Sequence, residues 1–344
     1  MNLALLAVSR PSASRTAMKL RDLESYDSPL SAEHRRLGLP PLERSVERIA
    51  LAPTGSRAVA AAVWLSAAML AVLTVYLMVR LFSNGTLGAR GLIVQALSDT
   101  TFWSAVGVGL LAQVIDGALG MAYGITSTTF LMASGVSPAM ASASVHVAEV
   151  FTTGVSGIAH AKLGNVDKRL FLRLLIPGIV GALVGAYLIT SVDGAAIKPY
   201  VSAYLILMGV YILTKVFRKR RSNGSEPKHV AKLALFGGFI DTVGGGGWGP
   251  VVTTTLVGRG HDPRTTIGSV NFAEFFLTFA SAGAFVALVG FGPWMIISGL
   301  VIGGLFAAPL AAYLCRRLQI NTLLVLVGSL IIAVSAFNLY KSLV

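Results

Sequence analysis

Asp116 and Asp241 each open a glycine-rich stretch. One reads Asp116-Gly-Ala-Leu-Gly120-Met-Ala-Tyr-Gly124, the other Asp241-Thr-Val-Gly244-Gly-Gly-Gly247-Trp248-Gly249-Pro250. Hydroxyl residues follow both: Thr126, Ser127, Thr128 and Thr129 after the first, Thr253, Thr254 and Thr255 after the second. Glycine lets a ligand approach the backbone closely, and a helix starting after it offers unpaired N–H groups and partial positive charge. Two such helix starts facing each other suit a small tetrahedral or pyramidal oxyanion. The competing role is close helix packing, which is what the Gly181-x-x-x-Gly185 spacing predicts for its own segment. The duplication, with an acid beside each copy, favours anion binding. Neither stretch is a phosphate-binding loop, because no Lys-Ser or Lys-Thr follows the glycines.

Four acids fall within apolar windows: Asp116, Glu149, Asp241 and Glu274. A lone carboxylate near the centre of a bilayer costs at least about 2.5 kcal/mol, so each needs a partner, water or a proton. For Asp116 and Asp241 the favoured role is to accept bonds from backbone N–H groups freed at the glycine breaks. The alternative for both is handling a proton or cation. Glu149 and Glu274 sit mid-helix and are either proton carriers or anchors for a neighbouring helix. His146 and Asn271 each lie three residues before one of these Glu residues, on nearly the same helix face. His146 reads first as a hydrogen-bonded interior histidine and second as an anion contact. Trp248 is either a cavity wall or a packing residue. The candidate substrate contacts are Gly124, Thr126, Ser127, Thr128, His146, Gly247, Trp248, Gly249, Thr253 and Asn271. No serine, histidine and acid set has the spacing of a catalytic triad, and no cofactor or metal motif is present, so the sequence does not read as an enzyme.

The two stretches belong to one internal repeat. Sliding the sequence by 125 residues gives 15 identities in the 41 positions from Asp116 to Ser156, without a gap. Asp116 meets Asp241, Pro138 meets Pro263, Ser144-Val145 meets Ser269-Val270, Ala148-Glu149 meets Ala273-Glu274, and Thr153 meets Thr278. Apolar composition alone matches Leu and Val by chance, but not Asp, Glu, Pro and several Gly.

The elements that carry these residues are spans. Of the 344 residues 54% are hydrophobic and 12% charged, about half the charged share of a soluble domain. Hydrocarbon about 30 Å thick needs about 20 helical residues. Windows at 58–79, 174–192, 294–315 and 318–340 have that length and no charge, 199–214 is flanked by Lys198 and Lys215, and 137–159 and 265–291 hold one Glu each. Windows 100–133 and 233–258 are broken by the glycines. The expected architecture is an all-α polytopic membrane protein of two inverted repeats, 100–214 and 233–341. Each repeat holds a glycine-broken helix pair, re-entrant or interrupted, and three spans. An extra helix at 58–82 leads them, after a largely disordered, basic, cytoplasmic tail at 1–57. The apolar opening of that tail, Asn2 to Val8, is too short for a signal-peptide core.

The net charge of +13 is read as cytoplasmic loops and not as a nucleic-acid surface, because the basic residues border apolar runs. The link at 215–232 has seven Lys or Arg against one Glu and is the cytoplasmic anchor. If each broken window crosses the membrane once, Arg316-Arg317, the 259–264 loop and the tail fall outside. If each returns to its starting side, those regions and 162–173 all lie inside. The second reading is preferred, and it gives the inverted-repeat plan of many secondary transporters. The single Cys315 excludes an intramolecular disulfide.

The duplicated Asp-glycine break together with Ser-Val-x-x-Ala-Glu at 144–149 and 269–274 resembles the TauE/SafE family of sulfite and organosulfonate exporters, over about residues 100–341. The resemblance implies a bacterial inner-membrane permease for a small sulfur-containing anion, usually outward. An anion channel, or ion-coupled uptake, is the alternative, and a membrane scaffold that moves nothing is a further one. The expected partners are the anion and the lipid bilayer, with no cofactor and no nucleic acid; an oligomer is left open. A negative interior favours anion exit by about 2.3 kcal/mol per charge per 100 mV, so export is expected to run without a coupled ion.

Overall fold

The computed structural model describes residues 56–83, 88–119, 121–215, 229–290, 293–315 and 320–344. The tail up to residue 55, Gly120, most of the basic link and Arg316-Arg317 lie outside the described residues, so their expected placements do too.

All regular structure among the described residues is helical. The leading helix is α1 (Arg57–Ser83), followed by a short helix the sequence did not suggest, α2 (Gly88–Ser98). The first repeat contains α3 (Thr100–Leu119), α4 (Tyr123–Ala133), α5 (Pro138–Lys162), α6 (Lys168–Ser191) and α7 (Gly194–Thr214). The second contains α8 (Val230–Gly244), a π-helical turn (Gly249–Thr253) running into α9 (Thr254–Gly258), then α10 (Pro263–Val289), α11 (Trp294–Cys315) and α12 (Ile320–Leu343). The 125-residue spacing therefore carries whole elements onto one another as well as residues.

Local chemistry sets the boundaries. Pro138 and Pro263 occupy the first turns of α5 and α10, where a missing N–H costs nothing. Asp167, Asp193 and Asp262 cap α6, α7 and α10, accepting from Leu170 N at 2.7 Å, Ala195 N at 2.9 Å and Thr265 N at 2.8 Å. Among the described residues, five helices are long and apolar enough to cross a membrane: within α1, and α6, α7, α10 and most of α12. Their outer faces are apolar where a soluble protein would be polar: Trp64 is 77% exposed and Ile176 67%, which is what lipid contact requires. The molecule is thus a polytopic helical membrane protein. By contrast α5 is buried without interruption from 141 to 150 and forms the centre.

The helices pair across the repeats. α3 packs on α11 and α8 on α6, so the first helix of each repeat lies on the fourth element of the other, while α5 packs on α10 and α7 on α12. Small residues permit the close pairs. Gly181 lies against the Leu235 carbonyl, and a β-carbon on Gly185 would stand 2.7 Å from the Phe239 carbonyl oxygen, so Gly181-x-x-x-Gly185 does pack α6 onto α8. Arg264 Nε donates to Asn165 Oδ1 at 2.5 Å, and the Asp167 N–H donates to Ser269 Oγ at 2.7 Å. The end of α5 and the start of α10 therefore share one end of the bundle. At the other end, a β-carbon on Gly194 would stand 3.5 Å from the Ser137 side chain, which puts the starts of α5 and α7 together.

Candidate functional site

The site is built where the two breaks meet. At the second, α8 ends at Gly244 and Gly245 takes φ +65°, a left-handed conformation open to glycine at no steric cost. Gly246, at φ +142°, then runs against the Gly124–Ile125 backbone at the start of α4. A β-carbon on Gly124 would be 2.7 Å from Gly246 Cα and 2.8 Å from Glu149 Oε1. Thr128 Oγ1 locks the contact from α4 by donating to the Gly245 carbonyl at 2.6 Å. At the first break the turn residue is Ala122, at φ +99°, where a residue with a β-carbon pays a steric penalty.

Each break is held by its aspartate in the same way. Asp241 Oδ1 accepts from the Trp248 N–H at 2.8 Å, and Asp116 Oδ1 accepts from the Tyr123 N–H at 3.4 Å; both bonds span seven residues. Both acids thus accept a backbone N–H at their own break. Asp241 has a second partner, since its Oδ2 lies 3.2 Å from His146 Nε2. His146 Nδ1 is 2.8 Å from the Ser142 carbonyl, which can only accept, so Nδ1 carries a proton. Between α5 and α10, Thr153 Oγ1 and its repeat mate Thr278 Oγ1 are 3.4 Å apart. Their hydroxyls also cap the carbonyls of Glu149 at 2.5 Å and Glu274 at 2.9 Å.

A cavity lies between the breaks. Its walls include all four acids, Asp116, Glu149, Asp241 and Glu274, together with Gly124, Gly247, Gly249 and Asn271. Of the other sequence candidates, Thr126, Ser127, Thr128 and Thr253 are buried off its lining. His146 stands behind it on Asp241. Trp248 is a packing residue: its indole N–H donates to the Val270 carbonyl at 3.1 Å and its ring fills the space beside Gly178 and Gly237. The sequence reading named neither Tyr123 nor Tyr204 as a site residue. Tyr123 lines the cavity and its hydroxyl reaches the Leu300 carbonyl at 3.2 Å; its signal was alignment with Trp248. Tyr204 donates to the Gly246 carbonyl at 2.8 Å and supports the second break from α7. Its repeat counterpart is Ser329, so no repeat signal marked it.

The lining is acidic, with no Lys, Arg or His among its described residues. Buried Glu149 Oε2 and Asn271 Oδ1 have no hydrogen-bond partner among the described residues. An anion enters such a space only with compensating positive charge, from backbone N–H groups or from a cation.

The family model described as sulfite exporter TauE/SafE matches residues 105–338. The chain is 44% identical over 242 residues to the probable membrane transporter protein YtnM of Bacillus subtilis (strain 168), covering 67% of this chain and 80% of that protein. It is 20% identical over 270 residues to the probable membrane transporter protein YunE of the same organism, covering 71% of this chain and 99% of that protein. No solved structure matches the chain.

Proposed function

Because the chain belongs to the sulfite exporter TauE/SafE family, we propose that it is a permease moving a small sulfur-containing anion, sulfite or an organosulfonate, outward across the cell inner membrane. The observation that carries this reading is the meeting of the two glycine breaks at Gly124 and Gly246 beside one cavity. Irregular backbone is tolerated at membrane depth where it lines such a space. The N–H groups beside Gly124 and Gly249 are the anion's contacts, and Asn271 orients it.

The two halves are inverted repeats with re-entrant broken helices. This is supported by the Arg264–Asn165 contact, which joins the 259–264 loop to the 162–173 loop at one end of the bundle. A broken window that crossed once would put those loops on opposite faces. With the basic link as the cytoplasmic anchor, that end faces the cytoplasm, the Ser137 and Gly194 end faces out, and the N-terminal tail is inside.

The test is efflux from proteoliposomes of full-length protein, comparing sulfite with sulfate, thiosulfate, taurine and sulfoacetate. Saturable flux of sulfite or a sulfonate, inhibited by its own excess, is expected. Flux that does not saturate would mean an anion channel, and no flux of any of the five would mean a scaffold.

A further inference from the structure

We propose that His146, Glu149 and Asp241 form a binding site for one divalent first-row transition-metal ion, whose charge makes the acidic cavity habitable for an anion. The ligand atoms of the three side chains all lie within 4.8 Å of one another, and all three residues are buried. Ligands on one tetrahedral ion, at bonds of about 2.1 Å, stand about 3.4 Å apart, so the widest side of the triangle closes by at most about 1.4 Å when an ion binds. One imidazole nitrogen and two carboxylates are a donor set for zinc, manganese or cobalt.

Three observations beyond proximity point to an ion. Glu149 Oε2 is buried, belongs to a cavity-lining residue and has no partner among the described residues. The Ser142 carbonyl accepts the Nδ1–H of His146, which turns Nε2 toward Asp241 Oδ2 at 3.2 Å. That separation is near the spacing of adjacent ligands on one ion. The remaining bonds are those that orient metal ligands: His146 donates its other ring N–H to a backbone carbonyl, and Asp241 uses its other oxygen on the Trp248 N–H. The ligands come from α5 of the first repeat and α8 of the second, so the ion would also clasp the two halves.

The ion's service to an anion rests on the permease reading, but its binding does not, and the experiment separates them. Chelator-stripped full-length protein in detergent is titrated with Zn²⁺ alone and with Co²⁺ alone. One ion per chain is expected, with a visible Co²⁺ spectrum of nitrogen and oxygen ligation. Glu149→Gln and His146→Gln, each shown to be monodisperse, should bind about tenfold or more weakly. An unchanged titration in both variants assigns binding to surface groups and overturns the site. Absence of binding in the parent protein overturns it too, leaving the 3.2 Å contact as an imidazolium–carboxylate pair. Sulfite flux from metal-free protein would refute the ion's role while the permease stands; metal binding without any anion flux would refute the permease and leave the site.

Discussion

Asp241 divides its carboxylate between two elements, one oxygen holding the Trp248 N–H at 2.8 Å and the other facing His146 Nε2 at 3.2 Å. Among the described residues its repeat mate Asp116 accepts the backbone bond alone, at 3.4 Å, and it is less buried. Asp241→Ala leaves a buried N–H without a partner, which costs about 1–3 kcal/mol. Thermal unfolding in detergent should therefore show a larger fall in Tm for Asp241→Ala than for Asp116→Ala. Equal falls, or the reverse order, would remove the asymmetry argued from these bonds.

Gly124→Ala should abolish flux while the protein stays monodisperse. The added β-carbon would meet Gly246 Cα at 2.7 Å and Glu149 Oε1 at 2.8 Å, displacing the contact between the breaks. Gly107→Ala is the matched control, because nothing lies within 4 Å of its β-carbon; within helix α3 it should be neutral or stabilising by about 0.5–1 kcal/mol. Unimpaired flux in Gly124→Ala would move the anion site elsewhere.

Topology is read with an impermeant thiol reagent on intact cells, in a Cys315→Ser background. Ser134→Cys, at the exposed turn between α4 and α5, should be labelled from outside. Leu163→Cys, after α5, and a cysteine placed in the basic link should be protected until the membrane is opened. Labelling of Leu163→Cys from outside would be incompatible with re-entrant breaks and a cytoplasmic link.

Outward anion flux should persist without a proton or sodium gradient and rise as the interior is made negative, since each 100 mV is worth about 2.3 kcal/mol per charge. Glu149→Gln combined with Glu274→Gln should slow flux without abolishing it when Zn²⁺ is supplied in excess. Proteoliposomes with a potassium–valinomycin potential of either sign give the measurement. Flux that stops when the proton gradient is collapsed at fixed potential would show obligatory coupling.

Much of this arrangement was legible in the sequence because the repeat preserved it. Asp116 and Asp241, Gly124 and Gly249, Glu149 and Glu274 are picked out by the 125-residue register, and all six line one cavity. Position along a helix was legible too, but not which way a helix faces. Thr126, Ser127 and Thr128 follow a break, yet α4 turns them into the protein, where Thr128 donates to the Gly245 carbonyl of the other repeat. The pairing of His146 with Asp241 spans 95 residues and two elements, so no local pattern announces it. The short α2 helix was missed for a different reason. It has 11 residues, too few to span, and Ile93, Val94 and Leu97 remain exposed.

The hydroxyls of Thr153 and Thr278 touch at 3.4 Å, and the two residues are the same position counted twice. A residue in contact with its own duplicate is the mark of an isologous interface, in which one patch meets an identical patch across a twofold axis. Fusion in tandem turns such an interface into an interior. On the inverted-repeat reading proposed above, this pair implies an ancestral half-length chain that inserted into the membrane in both orientations and assembled as an antiparallel homodimer, its threonine bonded to its own image.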